Sequence, residues 1–230
     1  MPRPDRTLSA TEARAYYDRF GAKQDSQGFY EDPAVDDLIA HAGFETAQQL
    51  FEFGCGTGKL AARLLSGPLP GAATYLGCDV SPTMVELAAR RLAPHHKRAS
   101  ATQSDGAVRF PLADHSVDRV LSAYVLDLLS EQQTELFFAE AHRVLAAQGR
   151  LCLVSLTEGV NLRSRLVAGL WARIFRWRPA WVGGCRPIRL ERHVDATRWR
   201  VEYRNVVTAF GVPSEVLVLT ALPRPHDIDG

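Results

Sequence analysis

Between Leu50 and Leu65 the chain passes from the apolar run LFEF through three alternating glycines, Gly54, Gly56 and Gly58, and then into a helical pattern. Glycine turns the backbone sharply and removes the Cβ that would keep a ligand away. A buried strand that ends in such a loop and opens a helix belongs to an α/β sheet, with a ligand seated at the strand's carboxyl end. This one feature excludes all-helical and all-antiparallel designs for the centre of the chain.

The flanking sequence keeps the same rhythm. ATYLGCD reads as a second strand, and Ser81 to Leu92 as a helix capped by Ser81 before Pro82. A short strand ends at Asp105, Val117 to Ser122 forms another, Glu131 to Leu145 is a helix, and Arg150 to Leu156 is a strand. Upstream, residues 7–20 read as a helix, and a second helix starts at Pro33 after Asp32 and runs to about His41. Alternating strands and helices imply parallel pairing through right-handed crossovers. Two long strands close the chain, Trp199 to Phe210 and Glu215 to Ala221, joined by GVPS. So short a connection joins antiparallel neighbours. The expected fold is a Rossmann-like, doubly wound, seven-stranded α/β sheet, mostly parallel, with an antiparallel carboxyl-terminal hairpin.

Length supports one domain. The 230 residues are 46% hydrophobic and 23% charged, an ordinary globular composition. Cys55, Cys78, Cys152 and Cys185 are widely spaced and form no Cys-x-x-Cys pair, which argues for reduced thiols and against a zinc ribbon. The first thirty residues hold no apolar run of signal-peptide length, and no window has about 18 apolar residues in a row, so a cytoplasmic location is expected.

The loop is not a dinucleotide fingerprint. That motif needs a glycine three positions after its second one, and Lys59 stands there. What remains is acidic-x-Gly-x-Gly-x-Gly, from Glu52 to Gly58. Asp79 ends the next strand, 21 residues after Gly58, and Asp105–Gly106 ends the third. The stretch FPLADHSVDRVLSAYVLDLL follows, and later AHRVLAAQGRLCLVSL. Over about residues 45–157 these motifs resemble the class I S-adenosylmethionine-dependent methyltransferases, and among them the ubiquinone/menaquinone-biosynthesis type. Gln148–Gly149 departs from the double glycine usual there.

The resemblance implies S-adenosylmethionine as cofactor. It assigns the loop (Glu52, Gly54, Cys55, Gly56, Gly58) to the methionine half and Asp79 to the ribose. Asp105, Gly106 and Met84 go to the adenine, and Val80 and Ser122 are further cofactor-binding candidates. YYDRFGAKQDSQGFY resembles the family's cover over the cofactor, with Tyr16 or Tyr17 closing on the methionine moiety. Methyl transfer from a sulfonium is an in-line displacement that needs alignment more than acid catalysis, so no catalytic dyad is expected. Candidates for a base or acceptor contact are Tyr124, Asp127, His115 and His193. The pattern implies no metal.

Charge is unevenly spread. The total is +1, yet Arg163 to Arg204 carries 11 Arg, no Lys and the three acids Glu191, Asp195 and Glu202, with all four Trp (171, 177, 181, 199). Leu162, Leu166, Val167, Leu170, Trp171, Ile174 and Phe175 recur at helical spacing, with Arg163, Arg165, Arg173 and Arg176 on other faces. Residues 161–178 therefore read as a crossover helix, as a lid over a small-molecule or amphiphilic lipid- or quinone-like acceptor, or as a contact with an anionic membrane. No recognisable RNA module accompanies the positive run, so no nucleic-acid partner is expected. The resulting organisation is a helical cover (1–44), a cofactor-binding core (45–157), a basic acceptor-side insert (158–198) and a closing hairpin (199–222). A noncatalytic S-adenosylmethionine-binding or protein-interaction module with the same fold is the alternative, and a nicotinamide oxidoreductase is disfavoured by Lys59.

Overall fold

The computed structural model describes residues 7–159, 169, 173 and 185–223. Seven strands form one sheet in the order β3-β2-β1-β4-β5-β7-β6. They are β1 (Gln49–Phe53), β2 (Thr74–Asp79), β3 (Ala99–Gln103), β4 (Val117–Ala123), β5 (Leu145–Leu156), β6 (Trp199–Ala209) and β7 (Val212–Ala221). The first five pair in parallel, and β7 runs antiparallel to both β5 and β6. The expected seven-stranded fold is thus the observed one.

Among the described residues, helices α1 (Ala10–Phe20), α2 (Gly28–His41), α3 (Lys59–Ser66), α4 (Pro82–Leu92) and α5 (Glu131–Val144) accompany the sheet. Leu38, Leu64, Phe44 and Leu121 are fully buried on one face of the sheet, and Phe51, Phe110, Phe137 and Leu153 on the other. Burying each such side chain contributes roughly 1.5–3 kcal/mol. Chain order reverses between β1 and β4, and the loops leaving those two strands open the crevice used by ligands in sheets of this kind.

Several boundaries differ from the sequence reading. α1 starts at Ala10, where Ser9 and Glu12 form a reciprocal capping box. α2 starts five residues before Pro33, because a 3-10 segment at Gly21–Gln27 leads directly into it. α3 starts only at Lys59, since Gly58 before it is left-handed (φ 72°). β3 stops at Gln103, two residues short of Asp105, and β5 begins at Leu145, which pairs with Val117. The hairpin does not turn at GVPS. Phe210 (φ 51°) and Gly211 (φ 86°) form a two-residue turn, and Val212, Pro213 and Ser214 already pair with β6. Two successive positive φ angles give the twist that antiparallel strands require, which Pro213 cannot supply.

Candidate active-site cleft

The loop after β1 is tied to the end of β2. The N–H groups of Gly54 and Cys55 both donate to the Cys78 carbonyl, at 2.8 and 2.9 Å. Gly56 N–H donates to Asp79 Oδ2 and Ser81 N–H to Asp79 Oδ1, each at 2.9 Å. Asp79 is thereby clamped between the loop and the start of α4. Burial pushes its carboxyl above the usual range, and these backbone N–H groups pull it back. One step further out, Ser81 Oγ donates to Asp18 Oδ1 at 2.6 Å and accepts from Met84 N–H, so α1 is latched to the start of α4.

This arrangement borders a cleft of about 800 Å³. Gly54, Gly56, Asp79 and Val80 form one side, Ala123, Tyr124, Val125 and Leu128 another, and Leu8, Ala10, Ala13 and Tyr17 from the amino-terminal segment close over it. Gly54 has φ 78°, and a Cβ there would strike the Val125 side chain. A Cβ on Gly106 would stand 2.5 Å from Ala10, so α1 rests directly on that glycine. Asp79 is the only charged residue lining this cleft among the described residues.

A second chamber of about 570 Å³ opens behind the loop and shares Gln24, Gly54, Gly56, Ala123 and Tyr124 with the first. Its walls include Glu31, Asp32, Glu52, Thr57 and Lys59. Lys59 donates to both Asp32 oxygens at 2.7 and 2.9 Å, and Thr57 Oγ1 donates to Asp25 Oδ1 at 2.7 Å. Gln24 stands between the chambers, and its buried Oε1 accepts no hydrogen bond.

Of the residues expected to hold cofactor, Gly54, Gly56, Asp79, Val80, Gly106 and Tyr17 line the cleft. The others lie elsewhere. Glu52 and Cys55 face the second chamber, and the Tyr75 hydroxyl donates to Glu52 Oε2 at 2.5 Å. Burial raises Glu52 to about 8. Gly58 packs under Ala88, and Met84 is fully buried. Ser122 is buried with its hydroxyl donating to the Phe53 carbonyl. Asp105 is exposed and accepts from Ala107 N–H at 2.8 Å, an Asx turn that leaves Ser104 and Gly106 as the lining residues of that loop. Tyr16 stacks on Phe20 at 5.5 Å and lies outside the lining.

The base candidates separate in the same way. Tyr124 lines both chambers with φ 56°, and its hydroxyl donates to Ser214 Oγ at 2.9 Å. Asp127 is fully buried just beyond it, and burial lifts its carboxyl to about 7. His193 stacks against Phe138 at 6.0 Å and does not line either chamber. His115 precedes β4, at the end of that strand opposite the cleft, with its Nδ1 against the Leu145 carbonyl. Sequence reasoning missed Gln24, Glu31 and Asp18, polar residues of the amino-terminal segment that carry no local motif. No group of three or more His, Cys, Asp or Glu side chains suited to a metal occurs among the described residues.

The expected amphipathic and membrane-contacting segment, 161–178, falls outside the described residues except for Gly169 and Arg173, both exposed on helical backbone. No helix of the described residues is long and apolar enough to cross a membrane.

Residues 50–149 match a family model described as a methyltransferase domain. A malonyl-[acyl-carrier protein] O-methyltransferase of Hahella chejuensis is 32% identical over 152 residues, covering 65% of this chain and 49% of that protein. Methyltransferase GfsG of Streptomyces halstedii is 30% identical over 143 residues, 56% of this chain and 49% of that protein. The chain thus spans about half the length of the curated relatives it matches. Among solved structures, the [4+2]-cyclase SpnF superposes with a TM-score of 0.71 at 14% identity, over 96% of this chain and 100% of that one. A geranyl diphosphate methyltransferase in complex with GPP and sinefungin gives 0.62 at 14% identity, over 83% and 77%. These likenesses establish the class I methyltransferase fold, and SpnF illustrates that a fold by itself does not fix the chemistry.

Proposed function

We propose that this chain, which carries a class I methyltransferase domain, is an S-adenosylmethionine-dependent methyltransferase acting on a small-molecule acceptor. The observation that carries the reading is the clamp of Asp79 between Gly56 and Ser81 on the wall of the cleft. It sets an acceptor-only carboxylate on the cleft wall, held by a loop that turns through left-handed φ angles at Gly54 and Gly56.

The residues present suit that cofactor. A Cβ on Gly54 or Gly106 would strike Val125 or Ala10, so the walls of the cleft close as they do only with glycine at both positions, and the buried Gln24 Oε1 on the cleft wall accepts no hydrogen bond. Asp79 would take the ribose hydroxyls, Val80, Leu8 and Ala10 would enclose the adenosine, and Gln24 would accept from an amino group at the methionine end. When bound, the cofactor supplies a methyl group already activated by a sulfonium charge. The protein's own contribution is alignment and the exclusion of water. Tyr17 and the Ala123–Val125 turn wall the reaction space, and holding the two reactants in line is worth roughly 7–11 kcal/mol of barrier. Tyr124 acts as a fixed wall and hydrogen-bond donor. Burial raises its hydroxyl far above neutrality, and it is already engaged with Ser214.

The acceptor approaches from the side of β4 and β5, over Tyr124. The basic insert 158–198, with nine Arg and Trp171, Trp177 and Trp181, suits an amphiphilic, lipid- or quinone-like molecule carrying an anionic group. The test is transfer of labelled methyl from S-adenosylmethionine into fractions of a small-molecule cell extract. Label in a defined fraction supports the reading. Absence of label from all fractions, by a protein that binds the cofactor, would overturn it in favour of a binding module.

A further inference from the structure

Asp25, in the 3-10 segment Gly21–Gln27, and Thr57, in the glycine loop, are joined by a side chain that lines neither chamber. Arg91 lies in the last turn of α4. Its Nη1 donates to the Thr57 carbonyl at 3.1 Å and to Thr57 Oγ1 at 2.6 Å, and its Nη2 donates to Asp25 Oδ2 at 2.6 Å. Thr57 Oγ1 in turn donates to Asp25 Oδ1 at 2.7 Å. The three side chains close a ring that spans α4, the loop and the amino-terminal segment. Thr57 is buried, whereas the Arg91 and Asp25 side chains are 35% and 31% exposed. An ion pair that open to water adds little to global stability. What the ring fixes is position.

The chain neighbours of the ring are residues of the site. Gln24 precedes Asp25 and lines both chambers. Its Oε1 stands 3.1 Å from the point that a Cβ on Gly56 would occupy, so its amide lies directly over the loop. Gly56 precedes Thr57 and donates to Asp79, while Gly58 follows it and packs on Ala88 of α4. The start of the same helix holds Asp79 through Ser81 N–H and Asp18 through Ser81 Oγ. One helix therefore references the loop and the segment that closes over it, at Ser81 and again at Arg91.

Resting on the methyltransferase reading, we propose that Arg91 is a positioning residue of the cofactor site: through Asp25 and Thr57 it holds Gln24 over Gly56, and so fixes the contact offered to the methionine end of the cofactor. Arginine suits the task because its planar fork reaches two acceptors on separate elements at once. Lysine keeps the charge but is a single flexible point donor, so it separates a bridge from a mere positive charge at the end of α4.

Calorimetry with S-adenosylmethionine on the whole chain compares wild type, Arg91→Lys, Gln24→Ala and the double variant. Arg91→Lys should bind about tenfold more weakly than wild type, the scale of one charge-assisted hydrogen bond. Gln24→Ala should weaken binding as well, and the double variant should bind no more weakly than Gln24→Ala, because Arg91 acts through Gln24. Wild-type affinity in either single variant overturns the proposal. So do losses that multiply in the double variant. A second measurement needs no cofactor. In the free chain, the N–H of Gly28 is bonded to the Asp25 carbonyl and that of Gly58 to the Cys55 carbonyl. Amide exchange at both should accelerate in Arg91→Lys, with the amides of α5 unchanged. Equal exchange in the two proteins overturns the ring as a positioning device. A melting temperature within a few degrees of wild type qualifies each variant, and Arg91→Met replaces a lysine variant that fails this. Failure of wild type to bind S-adenosylmethionine overturns the methyltransferase reading and the cofactor role with it, while the exchange comparison judges the ring by itself.

Discussion

Gly56 donates its backbone N–H to Asp79 Oδ2 at 2.9 Å, so the loop after β1 and the end of β2 act as one unit. The carboxylate on the cleft wall also holds the glycine loop that lines the same cleft. Damage to one is therefore damage to both, and binding and stability are coupled at this position.

Glu52 makes stability depend on pH. Its folded carboxyl is raised to about 8 by burial, well above its unfolded value, so the folded state holds a proton that the unfolded chain has released. Stability from this group is present at acid pH and falls as pH rises from about 4.5 toward 8. Glu52→Gln should weaken that decline, and melting curves at pH 5.5 and 8 would check it. Equal slopes for variant and wild type would refute the assignment. Asp127 and Glu31, both raised to about 7, leave a residual dependence in either protein.

Glu215 fastens the segment that follows the insert to the sheet. Fully buried, it accepts Leu190 N–H at 2.9 Å with one oxygen and Arg204 Nε at 2.7 Å with the other. Glu215→Ala strands both donors. Arg204 is partly exposed and recovers solvent, so the expected loss is about 2 kcal/mol. Denaturant unfolding measures it, and amide exchange at Leu190 should accelerate in the same variant.

Gly211→Val tests the hairpin turn. Gly211 has φ 86°, and a β-branched residue there should lower stability by roughly 1–2 kcal/mol. Phe210→Asn should be tolerated, because Asn accepts the left-handed conformation that Phe210 adopts at φ 51°. Urea midpoints decide both, and a Gly211→Val midpoint equal to wild type would contradict the turn.

The sheet and the loop were legible because alternation and glycine spacing are local signals. Asp79 was legible as a cleft-wall residue because it ends β2 beside the glycine loop. Asp105 was not, since the choice among Ser104, Asp105 and Gly106 is made by an Asx turn to Ala107 that its own neighbours do not announce. Met84 and Ser122 stand in register with the site but face the interior, the first in α4 and the second under Phe53. The hairpin was displaced because a Phe in left-handed conformation runs against residue preference, while Pro213 invites a turn it does not make. Gln24 and Glu31 reach the chambers only through the packing of the amino-terminal segment on the sheet, a long-range relationship without a sequence pattern.

The central claim is that Asp79 and the glycine loop hold S-adenosylmethionine. Calorimetric titration of the wild-type chain and of Asp79→Ala tests it directly. The account predicts one cofactor bound per chain by wild type and an affinity at least about tenfold weaker in Asp79→Ala, since roughly 1.4 kcal/mol is lost with the ribose contacts. No binding by wild type, or equal affinity in the two proteins, would contradict it.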